Sequence, residues 1–126
     1  MLIRSLMALG LTLSLIVPAV AAPPPVTFAR YGTGAVFITA TGKSLYVRDG
    51  DTSGQGCVGK CLEGWQPLSA ARDDVGPVGW SVVSRPGGSF QWAYQNRPLY
   101  TCEKDTTPGE VACEGADNGL WHAARP

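Results

Sequence analysis

The chain has little of what most extracellular chemistry requires. Methionine is absent after Met7, which excludes methionine-rich copper binding. Histidine occurs once, at His122. Beside Trp121 in what reads as a terminal strand, it points to packing rather than catalysis. No serine stands in a Gly-x-Ser-x-Gly nucleophile elbow. Acidic and basic residues balance at ten each, and no basic cluster tracks one face, so the electrostatic footprint of nucleic-acid binding is missing. Past Val17 no apolar run approaches the roughly 17 to 25 residues of a membrane span, and past Ala22 no segment carries helical periodicity of useful length.

What is present begins with an export signal. Met1 to Arg4 is positively charged, Leu6 to Val17 is mostly apolar, and Pro18-Ala19-Val20-Ala21 supplies small residues before a break. This is the layout of a secretory signal peptide over 1–21, with cleavage after Ala21. No cysteine follows the run, so a lipid attachment site is not expected. An extended, proline-rich leader over 22–33 and one domain over 34–126 complete the expected organisation. A domain of this size gains only marginal stability from buried surface. Its four cysteines, Cys57, Cys61, Cys102 and Cys113, are an even number in a chain bound for an oxidising compartment, which argues for two disulfides. The local pairing Cys57–Cys61 with Cys102–Cys113 is favoured; the rival joins distant halves, for example Cys57–Cys113.

The chain is organised around a repeat. Leu45-Tyr46, four residues, Asp51-Thr52, a glycine-containing loop, Cys57, seven residues and Trp65 form the first copy. Leu99-Tyr100, four residues, Asp105-Thr106, Cys113, seven residues and Trp121 form the second, with two residues inserted before the cysteine. Two copies are too few for an open solenoid, which needs at least about three units, and fit two halves of one small domain.

The stretches between turns read as strands. Ala35 to Thr39 and Ser44 to Arg48 form a hairpin around a turn at Gly42. Asp49 to Gly64 is a glycine-broken loop, from which Trp65 and Leu68 re-enter the core. Ser69 to Pro77 is a surface excursion. Trp80 to Ser84 and Phe90 to Tyr94 are strands, the second with Phe90, Trp92 and Tyr94 on one face and Gln91 and Ala93 on the other. Pro98 to Cys102 is a strand, Asp105 to Gly119 a loop, and Leu120 to Ala123 a last strand. The expected fold is all-β: a small antiparallel meander or hairpin domain of two related repeats with long disulfide-tied loops.

Three constellations could carry chemistry. Asp49, Asp51 and Ser53, closed by Gly54, resemble the start of a calcium loop, but its twelfth position is Lys60 where a bidentate glutamate is wanted; an Asx turn is the structural alternative. Cys57 and Cys61 lack the two-residue spacing of redox or zinc pairs, and no histidine follows Cys61 as in covalent haem attachment. Asp51 and Asp105 hold matching positions and could face each other as a glycosidase-type carboxylate pair; as loop-capping aspartates they would be structural. The aromatic residues Tyr46, Trp80, Phe90, Trp92, Tyr94 and Tyr100 read mostly as core, part of them a possible platform for flat ligands.

Together, Ser44-Leu45-Tyr46 with Asp51, Cys57 and Cys61 before Trp65-Gln66-Pro67-Leu68, then Gln91-Trp92-Ala93-Tyr94 and Arg97-Pro98-Leu99-Tyr100 with Asp105, resemble a bacterial secreted-repeat family of unknown function. Its members are described as predicted lipoproteins with a Tyr-x-aromatic-x-x-Asp motif. The resemblance covers Gly34 to Trp121. The third motif position departs from it, being Arg48 in one copy and Cys102 in the other, and the lipid-anchor cysteine is absent. The resemblance implies no activity, cofactor or catalytic residue. The expected protein is a periplasmic or secreted, monomeric binding or accessory envelope protein without catalytic residues, acting on a small ligand or an envelope partner, without nucleic acid and without a membrane span after signal cleavage. The alternatives are a carboxylate-dependent hydrolase using Asp51 and Asp105 and a calcium-stabilised module.

Overall fold

The computed structural model describes residues 8–16, 24–31 and 34–126. The expected cleavage point after Ala21 and the start of the leader lie outside the described residues. Residues 8–16 form no regular element, and Leu9, Leu11, Leu13, Leu15 and Ile16 are exposed. Among the described residues no helix is long and apolar enough to cross a membrane.

The remainder is antiparallel β structure. Strands β1 (Val26–Tyr31) and β2 (Gly34–Thr39) pair from Val26 opposite Thr39 to Tyr31 opposite Gly34. A paired strand therefore occupies part of the stretch expected as a leader. The expected hairpin between β2 and β3 (Leu45–Arg48) reduces to one bridge, Ile38 opposite Ser44. The turn between them still forms, with Thr39 N–H donating to the Lys43 carbonyl at 2.8 Å. Gly42 is required there: its φ is +87°, and a Cβ would meet Pro108 Cβ at 2.8 Å.

Next come β4 (Trp65–Pro67), β5 (Ser69–Ala70), β6 (Trp80–Ser84), β7 (Phe90–Tyr94), β8 (Arg97–Pro98), β9 (Tyr100–Cys102) and β10 (Trp121–Ala123). The boundaries of β6 and β7 are those expected from sequence. A two-residue turn with positive φ at Gln95 and Asn96 joins β7 to β8. The run Pro98 to Cys102 is not one strand. Pro98 has no N–H to extend a ladder, and at Leu99 the chain passes from one sheet to the other. Leu99 N–H donates to Trp92 O at 3.0 Å, and its carbonyl accepts from Leu68 N–H at 2.9 Å. The helical turn Ala116–Gly119 holds Asp117 and Asn118 at φ of +55°, so the loop before β10 remains a loop.

Two four-stranded sheets form the body. One, the hairpin sheet, centres on β7, which pairs with its chain neighbours β6 and β8 and with the more distant β5; the other is assembled from distant strands in the order β10-β3-β9-β4. Because side chains alternate along a strand, β3 sends Leu45 and Val47 to one face and Tyr46 to the other, and all three are buried. Leu45, Val47 and Leu99 pack with Phe37, Leu68 and Trp92 toward the hairpin sheet. Tyr46 and Tyr100 pack with Trp121 and the cysteines of the loops. Strand β7 is covered on both faces: Gln91 and Ala93, expected opposite the aromatic face, are as buried as Trp92.

Trp92 is 1% exposed and meets Trp80 edge-on at 6.3 Å. Trp92→Ala should lower unfolding free energy by about 3–5 kcal/mol, measured by equilibrium denaturation, with the far-ultraviolet spectrum of the folded state retained.

Candidate functional site

The repeat motif meets itself across the β3–β9 pair. Tyr46 lies opposite Tyr100 and Leu45 opposite Thr101. Matched residues facing each other in an antiparallel ladder place a local two-fold axis between them. The outer strands obey the same axis. Trp65 of β4 lies opposite Cys102 and Pro67 opposite Tyr100, while Trp121 of β10 lies opposite Arg48 and Ala123 opposite Tyr46. The last strand of each copy therefore pairs with the first strand of the other.

Hydrogen bonds cross in the same way. The Tyr46 hydroxyl donates to Asp105 Oδ2 at 2.7 Å, and the Tyr100 hydroxyl donates to Asp51 Oδ2 at 2.5 Å. The other carboxylate oxygens take the backbone N–H preceding the matched cysteines: Gly56 to Asp51 Oδ1 at 3.2 Å, Ala112 to Asp105 Oδ1 at 2.9 Å. Over the axis, Trp65 and Trp121 stack at 3.6 Å with planes 8° apart. Their strands are about 14 Å apart, from the roughly 4.8 Å spacing of neighbours, so both indoles reach inward. Each meets its own copy's tyrosine edge-on, at 5.2 Å for Tyr46 and 5.1 Å for Tyr100.

Arg85 and Gln91 complete the buried network, and neither was recognisable from sequence, since Arg85 read as a turn residue. The Arg85 guanidinium donates to Gln91 Oε1 at 2.8 Å, to the Tyr100 hydroxyl at 3.2 Å and to the Cys57 carbonyl at 2.7 Å. Gln91 Nε2 donates to the Leu99 carbonyl at 2.7 Å. Burial, and secondarily the bond to Asp105, raises the Tyr46 hydroxyl well above the usual tyrosine range. Burial and Asp51 push Tyr100 up to about 12. Both hydroxyls thus stay protonated as donors at neutral pH.

The disulfides are the favoured local ones, Cys57–Cys61 and Cys102–Cys113, with no free cysteine among the described residues. Their unlike spans follow from the departure at the third motif position. Cys113 bridges to Cys102 in strand β9, where the first copy has Arg48, so Cys57 finds its partner four residues on instead. Arg48 turns to Asp117 at 3.8 Å.

The other candidate residues do not converge. Asp49 is exposed and faces Arg97 at 3.6 Å and His122 Nε2 at 3.1 Å, whereas Asp51 points inward to Tyr100 and Ser53 is exposed. The three oxygen donors of the calcium-loop reading thus do not share a centre. Asp51 and Asp105 are only 2% and 3% exposed, and each has both oxygens engaged.

Open space lies elsewhere. A cleft of ≈ 310 Å³ is lined by Val47, Tyr94, Arg97, His122, Ala124 and Arg125 among others. A second, of ≈ 400 Å³, is walled by Trp65 and the Cys102–Cys113 bridge and edged by Glu63, Glu103 and Lys104. His122, far from being buried packing, is half-exposed between Asp49 and Glu114, whose Oε1 lies 3.5 Å from Nδ1.

Residues 81–125 match a family described as a secreted repeat of unknown function. The resemblance is borne out over that stretch, which holds the whole second copy of the motif, and with it the periplasmic or secreted location. No curated protein and no solved structure matches the chain.

Tyr46→Phe and Tyr100→Phe should each cost about 1–3 kcal/mol, because each leaves one oxygen of a buried carboxylate without its donor. The cycle of Tyr100→Phe with Asp51→Asn should lose less than the sum of the two. The raised Tyr100 pKa stabilises the fold fully below about pH 10, and that contribution is lost as pH rises through about 12; the loss from Tyr46 lies higher still. Tyrosinate absorbance should therefore show Tyr46 and Tyr100 still protonated well above pH 10.

The hydrogen bond to Asp49 raises His122 above its ordinary 6.5, helped by Glu114. The stabilisation from this group is complete below about pH 6.5 and fades as pH rises through the folded-state pKa. An NMR titration should place the His122 midpoint above 6.5, and Asp49→Asn should bring it down.

Proposed function

We propose that this secreted-repeat chain acts, once its signal peptide is removed after Ala21, as a periplasmic or secreted binding or accessory domain of the envelope rather than as a hydrolase. One observation carries the reading. The two carboxylates that hydrolysis would require at the surface, Asp51 and Asp105, are buried with every oxygen engaged. A general acid or nucleophile has to reach the bond it attacks within hydrogen-bond distance. These carboxylates instead hold one repeat to the other. The motif residues Tyr46, Asp51, Trp65, Tyr100, Asp105 and Trp121 are then scaffold, and the open clefts are where a ligand or envelope partner is met.

The divergence of Asp49 and Asp51 leaves a calcium-stabilised module without geometric support. The expected result is a melting temperature unchanged by chelator, and raised by at least one probe in a thermal-shift panel of glycans, haem and small organic acids. A panel without any shift would overturn the binding reading, and a chelator-sensitive melt would restore calcium.

A further inference from the structure

We infer that the cleft between Tyr94, Arg97, His122 and Arg125 is a binding site for a small organic anion, with a carboxylate or phosphate head and an apolar body. The inference rests on the binding reading and names the ligand class of one cleft. Two guanidinium groups and the His122 imidazole reach it from separate places in the fold. Arg97 opens β8 directly after the β7–β8 turn, His122 lies in β10, and Arg125 follows that strand.

Each of the three is positioned by groups outside the cleft wall. Asp49 does not line the cleft, yet it holds Arg97 at 3.6 Å and His122 at 3.1 Å. Glu114 stands behind His122 at 3.5 Å and also accepts from the Ala123 N–H. Arg125 donates to the Ala35 carbonyl at 3.4 Å and lies over Gly34, where a Cβ would come within 2.7 Å of its Nη1. The acids take both His122 ring nitrogens and one Arg97 nitrogen, while the Arg97 and Arg125 side chains line the cleft. Val47, Ala123 and Ala124 line it as apolar surface, and the Tyr94 ring contributes a further wall. The volume of ≈ 310 Å³ lies at the small end of ligand pockets, and guanidinium groups suit planar carboxylate or phosphate oxygens.

The cleft is also not a by-product of the repeat. By the spacing that matches Trp65 to Trp121, the first copy carries Gln66 and Ser69 where the second has His122 and Arg125. The two-fold axis therefore repeats the scaffold but not the charge.

The test is an NMR titration of the exported protein with sodium hexanoate, with hexanamide and inorganic phosphate as comparisons. Hexanoate should shift the signals of Val47, Tyr94, His122 and Ala124 saturably. Hexanamide and phosphate, lacking the charge or the apolar body, should each bind at least tenfold more weakly. Arg125→Gln, at an exposed position, should weaken hexanoate at least tenfold, and Arg97→Gln should do the same, with the folded spectrum otherwise retained. Equal binding of hexanamide, equal binding of phosphate, or hexanoate affinity indifferent to both substitutions would overturn the assignment. Shifts confined to the surroundings of Trp65 would also overturn it while sparing the binding reading. That reading fails separately, if the thermal-shift panel gives no response at all.

Discussion

Two hydrogen bonds between a tyrosine hydroxyl and a carboxylate, crossed over a local two-fold axis, hold this domain together. A buried carboxylate without donors costs several kcal/mol, and neither copy of the motif supplies the tyrosine for its own aspartate. Asp51 takes Tyr100 and Asp105 takes Tyr46. The strands obey the same exchange, since β4 pairs with β9 and β10 with β3. Either copy alone would expose an unsatisfied acid and an unpaired edge, so the two halves fold as one unit. The stacked Trp65 and Trp121 lie over this centre and exclude water from hydrogen bonds that gain strength in a low dielectric.

Around that shared centre the halves diverge. Cys102 permits a bridge from a strand to the loop that follows, and Arg48 at the matching place does not, so the first copy closes its loop within four residues. Both aspartates accept the N–H just before the matched cysteine, so each carboxylate fixes the same point of its loop that the sulfur fixes covalently. Arg85 adds a positive charge beside Tyr100, reaching the Cys57 carbonyl with its second nitrogen. One guanidinium thereby ties the hairpin sheet, the first loop and the crossed pair together.

This division of labour separates the buried scaffold from the residues that line the open clefts. The tyrosines, aspartates and loop cysteines that repeat are turned inward and satisfied, and the residues lining the cationic cleft do not repeat. A motif so thoroughly consumed by its own hydrogen bonds has little left for a substrate. Asp49 belongs to the outer set: in the turn directly after β3 it pairs with Arg97 and His122, while two residues on Asp51 is buried. Strand and turn geometry thus sends two neighbouring acids to opposite tasks.

The sequence alone determined the class of fold, the strands Trp80–Ser84 and Phe90–Tyr94, the local disulfides and the two-copy organisation. Those features follow from short-range pattern: alternation, turn residues and the spacing of cysteines. Tertiary structure decided which strands pair, because β3 meets β9 and β10 across more than fifty residues rather than its neighbour β2, and no local signal encodes such a partner. It also decided that Asp51 and Asp105 face tyrosines instead of each other, that Arg85 is buried, and that Arg97, His122 and Arg125 share a cleft. Each depends on side chains far apart in the chain arriving at one point, and only the closed two-fold arrangement brings them there.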